Sequence, residues 1–146
     1  MEQRAPRFEP VIPGTRAAAR IAASLPATRL RDVRIVDTGN RFAVIEVGSR
    51  AELAAVEPDQ SAIAEISESM DLVGYYLHSR EGAPVGRVAT TRMFAPRYGI
   101  DEEAATGMAA GPLACVLFDR FGIITTWIDG NSQNVYLDDI TYTVAQ

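Results

Sequence analysis

Short apolar runs, broken by clusters of Gly, Pro, Asp and Asn, predict a strand-rich domain with a few helices. Val33–Val36 and Phe42–Val47 are β-rich runs on either side of Asp37–Thr38–Gly39–Asn40, a turn-like cluster. Leu72–Leu77 is the next expected strand, with Ser79–Pro84 as its polar turn, and Val85–Phe94 alternates enough to pair with it. Ile123–Trp127 and Val135–Val144 close the series around the turn Asp129–Gly130–Asn131–Ser132. Helical spacing is confined to fewer places. Thr15 is placed to cap a helix through Ala17–Ser24, ended by Pro26, and Ala51–Val56 and Gln60–Met70 follow. In Gln60–Met70 the apolar positions Ile63, Ile66 and Met70 share one side, while Glu65, Glu68 and Ser69 face away. The opening Met1–Pro13, with Pro6, Pro10 and Pro13, reads as an extended arm on a single domain spanning 1–146.

One helix differs from the others. Ala104–Phe118 contains no charged side chain, and a helix apolar on every side must be enclosed by protein or lipid. It is too short to cross a bilayer, so the expectation is an α+β fold in which a strongly curved, mostly antiparallel sheet or barrel wraps a central helix. Asp101–Glu102–Glu103 precede it and would place carboxylates at its positive end. Gly107 and Gly111 allow close approach, and Pro112 should bend the helix or mark its start.

Composition narrows the functional classes. With 146 residues, 47% of them hydrophobic, 23% charged and a net charge of −5, the chain has no electrostatic footprint for nucleic acid or an anionic membrane surface. All its side-chain cations other than His78 are arginines, scattered singly and never forming a stripe; the absence of lysine reads as base composition rather than chemistry. A lone cysteine, Cys115, excludes an internal disulfide and, set in an apolar run, reads as a buried, inert thiol. No apolar segment resembles a signal peptide or a membrane span, so the expected compartment is the cytoplasm. His78, the only histidine, reads as a surface residue, and Trp127, Tyr136 and Tyr142 as core or interface. No metal-ligand spacing, phosphate loop or nucleophile elbow is present, and no cofactor or metal is expected.

The run Arg92-Met-Phe-Ala-Pro-Arg-Tyr-Gly-Ile-Asp-Glu-Glu-Ala-Ala-Thr-Gly-Met-Ala-Ala-Gly-Pro-Leu-Ala resembles the signature of the PhzF-like phenazine biosynthesis proteins. Arg92, Phe94, Pro96, Gly99, Glu102, Ala105, Thr106, Gly107, Ala109, Gly111, Pro112 and Leu113 stand where that family has them. The Asp37–Asn40 turn, with the strand after it, is also similar to the Gly-Asn motif of diaminopimelate epimerases. The resemblance implies a diaminopimelate-epimerase-like fold of two similar halves, each a barrel around a central helix, with the active site between them. It implies an isomerase or epimerase that moves a proton at carbon without a cofactor. The chain resembles the carboxyl-terminal half, whereas the family's leading catalytic Glu and an assisting His belong to the other half.

Carried over residue by residue, the resemblance makes Glu103 the catalytic candidate, in place of the family's Asp. Its alternative role is to complement the helix dipole. Thr106 and Gly107 become an anion-binding helix terminus or, alternatively, a cap and a close-packing point. Met108 stands where the family has Ser and is read as lining the substrate cleft. Asn40 either hydrogen-bonds a ligand or occupies a left-handed turn position. The chain reads as a natural short protein whose cleft-facing surface needs a partner: a second copy in a homodimer, or a separate chain carrying the amino-terminal half. The functional expectations are an isomerase acting on a small carboxylate-bearing metabolite, a catalytically inactive small-molecule-binding protein, or a partner-stabilising subunit.

Overall fold

The structure, a computed structural model, describes residues 5–103, 107–122, 125–128 and 134–137. Among these residues, eight strands and four α-helices follow in the order β1 (Arg7–Pro10), α1 (Arg16–Ala23), β2 (Leu30–Asp37), β3 (Arg41–Val47), α2 (Arg50–Ala54), α3 (Gln60–Met70), β4 (Gly74–Ser79), β5 (Arg87–Ala95), β6 (Ile100–Glu103), α4 (Gly107–Phe121), β7 (Thr125–Ile128) and β8 (Asn134–Leu137). The helix starts follow from side-chain capping. Thr15 accepts from the Ala18 N–H, Ser49 from that of Glu52 and Asp59 from that of Ala62, each satisfying a donor the helix cannot pair internally. Part of the expected amino-terminal arm is therefore a strand, because β1 pairs antiparallel with β2 from Arg7↔Asp37 to Pro10↔Arg34.

The strands form one mixed sheet in the order β1-β2-β3-β4-β5-β8-β7, with β6 pairing β5 beside this path. Among the described residues the sheet is open, its edges at β1 and β7. β3 and β4 run parallel, a geometry that needs a crossover, and α2 and α3 supply it. Gly74 opens β4 where it passes close to β5: a Cβ there would clash with the Phe94 carbonyl oxygen and lie 3.0 Å from the Ala95 Cα.

Side chains alternate between two cores. Ile35, Ala43, Ile45, Tyr75, Leu77 and Phe94 join residues of α1, α2 and α3 in one cluster. Val36, Phe42, Val44, Tyr76, Val88 and Met93 join Ala109, Leu113, Val116 and Leu117 of α4 in the other. The sheet is thus a middle layer, and its central strands read as apolar runs because both faces are buried. The α1–α3 layer was not anticipated as a layer, since amphipathic helices announce a face but not the surface that receives it. Within α1's layer the Ser24 hydroxyl lies 3.1 Å from the Tyr75 hydroxyl, and burial pushes the Tyr75 phenol up to about 12.

α4 is described from Gly107, since 104–106 lie outside the described residues, and it continues to Phe121 with Pro112 inside it. One side of it packs on the sheet while Phe118 on another side is exposed, so it is not enclosed all round by the described residues. Cys115, expected to be buried, is half-buried, and partial desolvation raises its thiol pKa.

The carboxyl end of α4 is anchored by charge. Arg120 pairs with Glu46 and, at 3.3 Å, with Asp32, while Arg34 pairs with Asp119 at 2.7 Å and with Asp32 at 3.0 Å. His78 lies in this region, on the α4 face of β4 by alternation with Tyr76, and it is buried rather than on the surface. Among the described residues its Nδ1 has no hydrogen-bond partner, and burial, reinforced by Arg120, pushes its pKa down to about 3, with Asp32 opposing. The sequence could not show this, because a single histidine at a strand end carries no mark of what packs over it.

That depressed value makes a prediction. Between roughly pH 6.5 and pH 3 the unfolded chain binds a proton that folded His78 does not, so His78 withdraws stability as pH falls through that window. Urea unfolding at about pH 7 and about pH 4.5 should show a larger acid loss for the natural chain than for His78→Leu. Equal losses would contradict the neutral, buried imidazole.

Candidate functional site

β6 separates the two adjacent glutamates chemically. Arg92, on β5, donates to both carboxylate oxygens of Glu102, from Nε at 2.7 Å and from Nη2 at 2.9 Å. Its Nη1 donates to the Leu53 carbonyl at 3.0 Å, which also accepts from the Val56 N–H, and to the Val56 carbonyl at 2.8 Å, just past the end of α2. Its guanidinium carbon also lies 5.0 Å from the centre of the Phe94 ring. Glu102 is therefore tied to the α1–α3 side. Glu103, the next residue, pairs with Met93, and Met93 belongs to the α4 core cluster. Paired residues of antiparallel strands share a face, so Glu103 stands on the α4 face and is exposed there. Asp101 is held as well, through its carbonyl, which accepts from Gln60 Nε2 at 2.8 Å.

These carboxylates precede α4, as the sequence suggested, and lie in β6. Pairing with β5, together with Arg92 and Gln60, holds the segment extended.

α4 starts at the end of the sheet that carries the β2–β3 turn. Its Gly111 lies beside that turn, where an added Cβ would be 4.0 Å from the Thr38 hydroxyl, while its other end reaches Glu46 at the far end of β3. In the turn, Asp37 accepts from the Gly39 N–H at 2.9 Å, and Gly39 takes the left-handed conformation at φ 110°. Asn40 is not in that conformation, so the left-handed role proposed for it belongs to Gly39. Asn40 is exposed at the same end of the molecule as the amino terminus of α4. A pocket of about 350 Å³ beside the turn is lined by Ala5, Pro6, Arg7, Asp37 and Gly39.

The expected site residues are thus only partly brought together. Gly107 is the first residue of α4, and Met108 follows it in the helix. Thr106 lies outside the described residues, as do Tyr142 and the side chains of Met108, Trp127 and Tyr136. Glu103 and Asn40 share no hydrogen bond. They lie on β6 and beside β3, three strands apart, or about 14 Å measured along the sheet. Sequence reasoning missed Arg92 as a working residue, although a lone arginine between apolar strand positions was a visible signal. Arg97 was missed in the same way: its Nη1 donates to the Leu72 carbonyl at 3.0 Å and to Asp71 Oδ1 at 3.1 Å, holding the end of α3. No cluster of three or more His, Cys, Asp or Glu that could hold a metal occurs among the described residues, and no described helix is long and apolar enough to cross a membrane.

Residues 1–133 match the family described as phenazine biosynthesis-like protein (PhzC-PhzF). A trans-2,3-dihydro-3-hydroxyanthranilate isomerase of Pseudomonas chlororaphis is 38% identical over 82 residues, which are 56% of this chain and 27% of that protein. An uncharacterized isomerase of Escherichia coli, YddE, is 31% identical over 121 residues, 80% of this chain and 40% of that protein. A crystal structure of a PhzF-family protein of Bacillus anthracis superposes with a TM-score of 0.60 at 17% identity, covering 80% of this chain and 40% of that one. One from Enterococcus faecalis gives 0.58 at 21% identity, covering 82% and 40%. The fold is shared with these structures, and this chain spans well under half the length of the relatives it matches.

The geometry of β6 predicts different costs for its two glutamates. Glu102→Gln should lower unfolding free energy by about 1–2 kcal/mol, since it breaks a charge-assisted pair with a largely buried arginine. Glu103→Gln, at an exposed site, should stay within about 0.5 kcal/mol of the natural chain. Urea titration of both variants checks the contrast, and equal costs would contradict the division of roles.

Proposed function

Since the chain belongs to the phenazine biosynthesis-like family, we propose that it forms one side of an isomerase cleft in which Glu103 moves a proton at carbon on a small, carboxylate-bearing metabolite, without a cofactor. The observation that carries this reading is the division within β6: Glu102 is consumed by Arg92, while Glu103 is exposed on the face where α4 begins. A helix amino terminus offers unpaired N–H groups and a partial positive charge, which suits the substrate's carboxylate. In this reading Gly107 and Thr106 receive that carboxylate, Met108 lines an apolar wall, and Asn40 meets a more distant part of the ligand.

Glu103 is exposed, and general acid–base work favours a carboxylate shielded from water. The shielding, together with the second acid or base, would come from a second half, supplied by another copy of this chain or by a separate polypeptide. The span of the relatives supports this, since this chain covers only 27–40% of those two isomerases. The exposed side of α4 would then be enclosed as the axis of a barrel-like half, in the manner of diaminopimelate epimerases. A cytoplasmic setting is part of the same proposal.

A second reading, a binding or partner-stabilising protein without turnover, draws on Met108 and Glu103 standing where the family has Ser and Asp. The relatives supply a probe for both. Purified protein, its mass followed by light scattering across a dilution series, is given trans-2,3-dihydro-3-hydroxyanthranilate in deuterated buffer. Turnover with deuterium entering at carbon is expected, and Glu103→Gln should lower it by about 10²–10⁴-fold. A fully active Glu103→Gln variant would overturn the role given to Glu103. Binding of the probe without exchange would favour the second reading.

A further inference from the structure

Resting on the isomerase reading, we infer that Arg92 is a positioning residue: through Glu102 it sets the register of β6, and so keeps Glu103 on the α4 face.

The described part of β6 is short. Four residues with a pairing irregularity between Met93 and Ala95 cannot hold their own register by ladder bonds alone. Register matters here more than elsewhere, because a slip of one residue would exchange Glu102 and Glu103 between the two faces. The α4 face would then carry Glu102, and Glu103 would meet Arg92. The structure shows two devices against that slip. Gln60 Nε2 holds the Asp101 carbonyl from α3, and the Arg92 fork holds both oxygens of Glu102.

The Arg92 fork is itself fixed. One terminal nitrogen is spent on carbonyls of Leu53 and Val56 at the end of α2, leaving Nε and Nη2 aimed at Glu102. A planar guanidinium does both jobs at once, whereas a lysine ammonium lacks the paired geometry. The α2 end, Arg92, Glu102 and Glu103 therefore form a continuous brace running from the helical layer through the sheet to the α4 face. Glu102 serves as the register peg that keeps its neighbour on the opposite side.

Charge-conserving substitutions separate this geometry from electrostatics. Glu102→Asp keeps the charge but is one methylene too short for the fork, and Arg92→Lys keeps the charge but loses the fork. Amide hydrogen exchange is followed by NMR in the full chain, together with kcat and KM on trans-2,3-dihydro-3-hydroxyanthranilate. In Glu102→Asp, exchange should rise by roughly ten-fold or more at Asp101–Glu103 and in the first turn of α4, while Ile63 and Leu77 amides stay protected. Turnover should fall in kcat with KM nearly unchanged, and Arg92→Lys, which also loses the α2 carbonyls, should equal or exceed Glu102→Asp in both effects. A rise confined to Leu53–Val56, with β6 and α4 unchanged, would overturn the inference and reduce Arg92 to a cap of α2. If the natural chain does not turn over the probe, the isomerase reading is what fails for that substrate, and the exchange pattern still decides the brace.

Discussion

Arginines hold the carboxyl ends of three helices, and the rest of the architecture hangs on those contacts. A helix leaves its last carbonyls unpaired, and a helix packed on a sheet cannot turn them freely to water. Arg92 takes the Leu53 and Val56 carbonyls at the end of α2, and Arg97 takes those of Ser67 and Leu72 at the end of α3. Arg120 sits in the last turn of α4, where a cation suits the helix dipole, and reaches across to Glu46 and Asp32 on the sheet. Each anchor links a helix to a strand or to the turn after a strand. That is how two helical layers keep a set position on a sheet buried on both faces. The all-arginine composition, whatever its origin, provides guanidinium forks that bond several acceptors in one plane.

Seen against those anchors, much of the signature run is scaffold. Phe94 and Leu113 are fully buried in opposite cores, and Ala109 packs beside Leu113. Pro96 opens a short 3₁₀ turn that ends at Gly99, whose φ of 76° favours glycine. Arg92 and Glu102 pair with one another. What is left over on the α4 face is Glu103, one residue beyond a fixed pair, and the start of α4. A signature can therefore be dense in matched residues while most of them shape the position of very few.

The two faces of the sheet have unlike roles. The α1–α3 face is an apolar packing layer with capped helices and a buried Tyr75–Ser24 contact. The α4 face carries apolar packing along the middle of the helix, Glu103 on the neighbouring β6 strand and a charged anchor around Arg120 near a buried, neutral His78. An uncompensated imidazole is tolerated there because neutrality is cheaper than placing a second cation beside Arg120.

Local chemistry made a good part of this legible from the sequence. Apolar, β-rich runs marked β2 to β4 and an alternating one marked β5, Thr15 marked the start of α1, and Gln60–Met70 was readable to the residue, because caps, turns and periodicity act over a few positions. The signature run likewise carried the family and pointed to Glu103. Where each element docks was decided only by the tertiary structure. His78 looked exposed and is buried, Asp101–Glu103 carried no strand signal and form β6, and Arg92 and Arg97, two of many scattered arginines, turn out to anchor helix ends. Each of those outcomes depends on a partner tens of residues away, such as Leu53 for Arg92 or Asp71 for Arg97, and a linear pattern carries no record of which distant groups will meet.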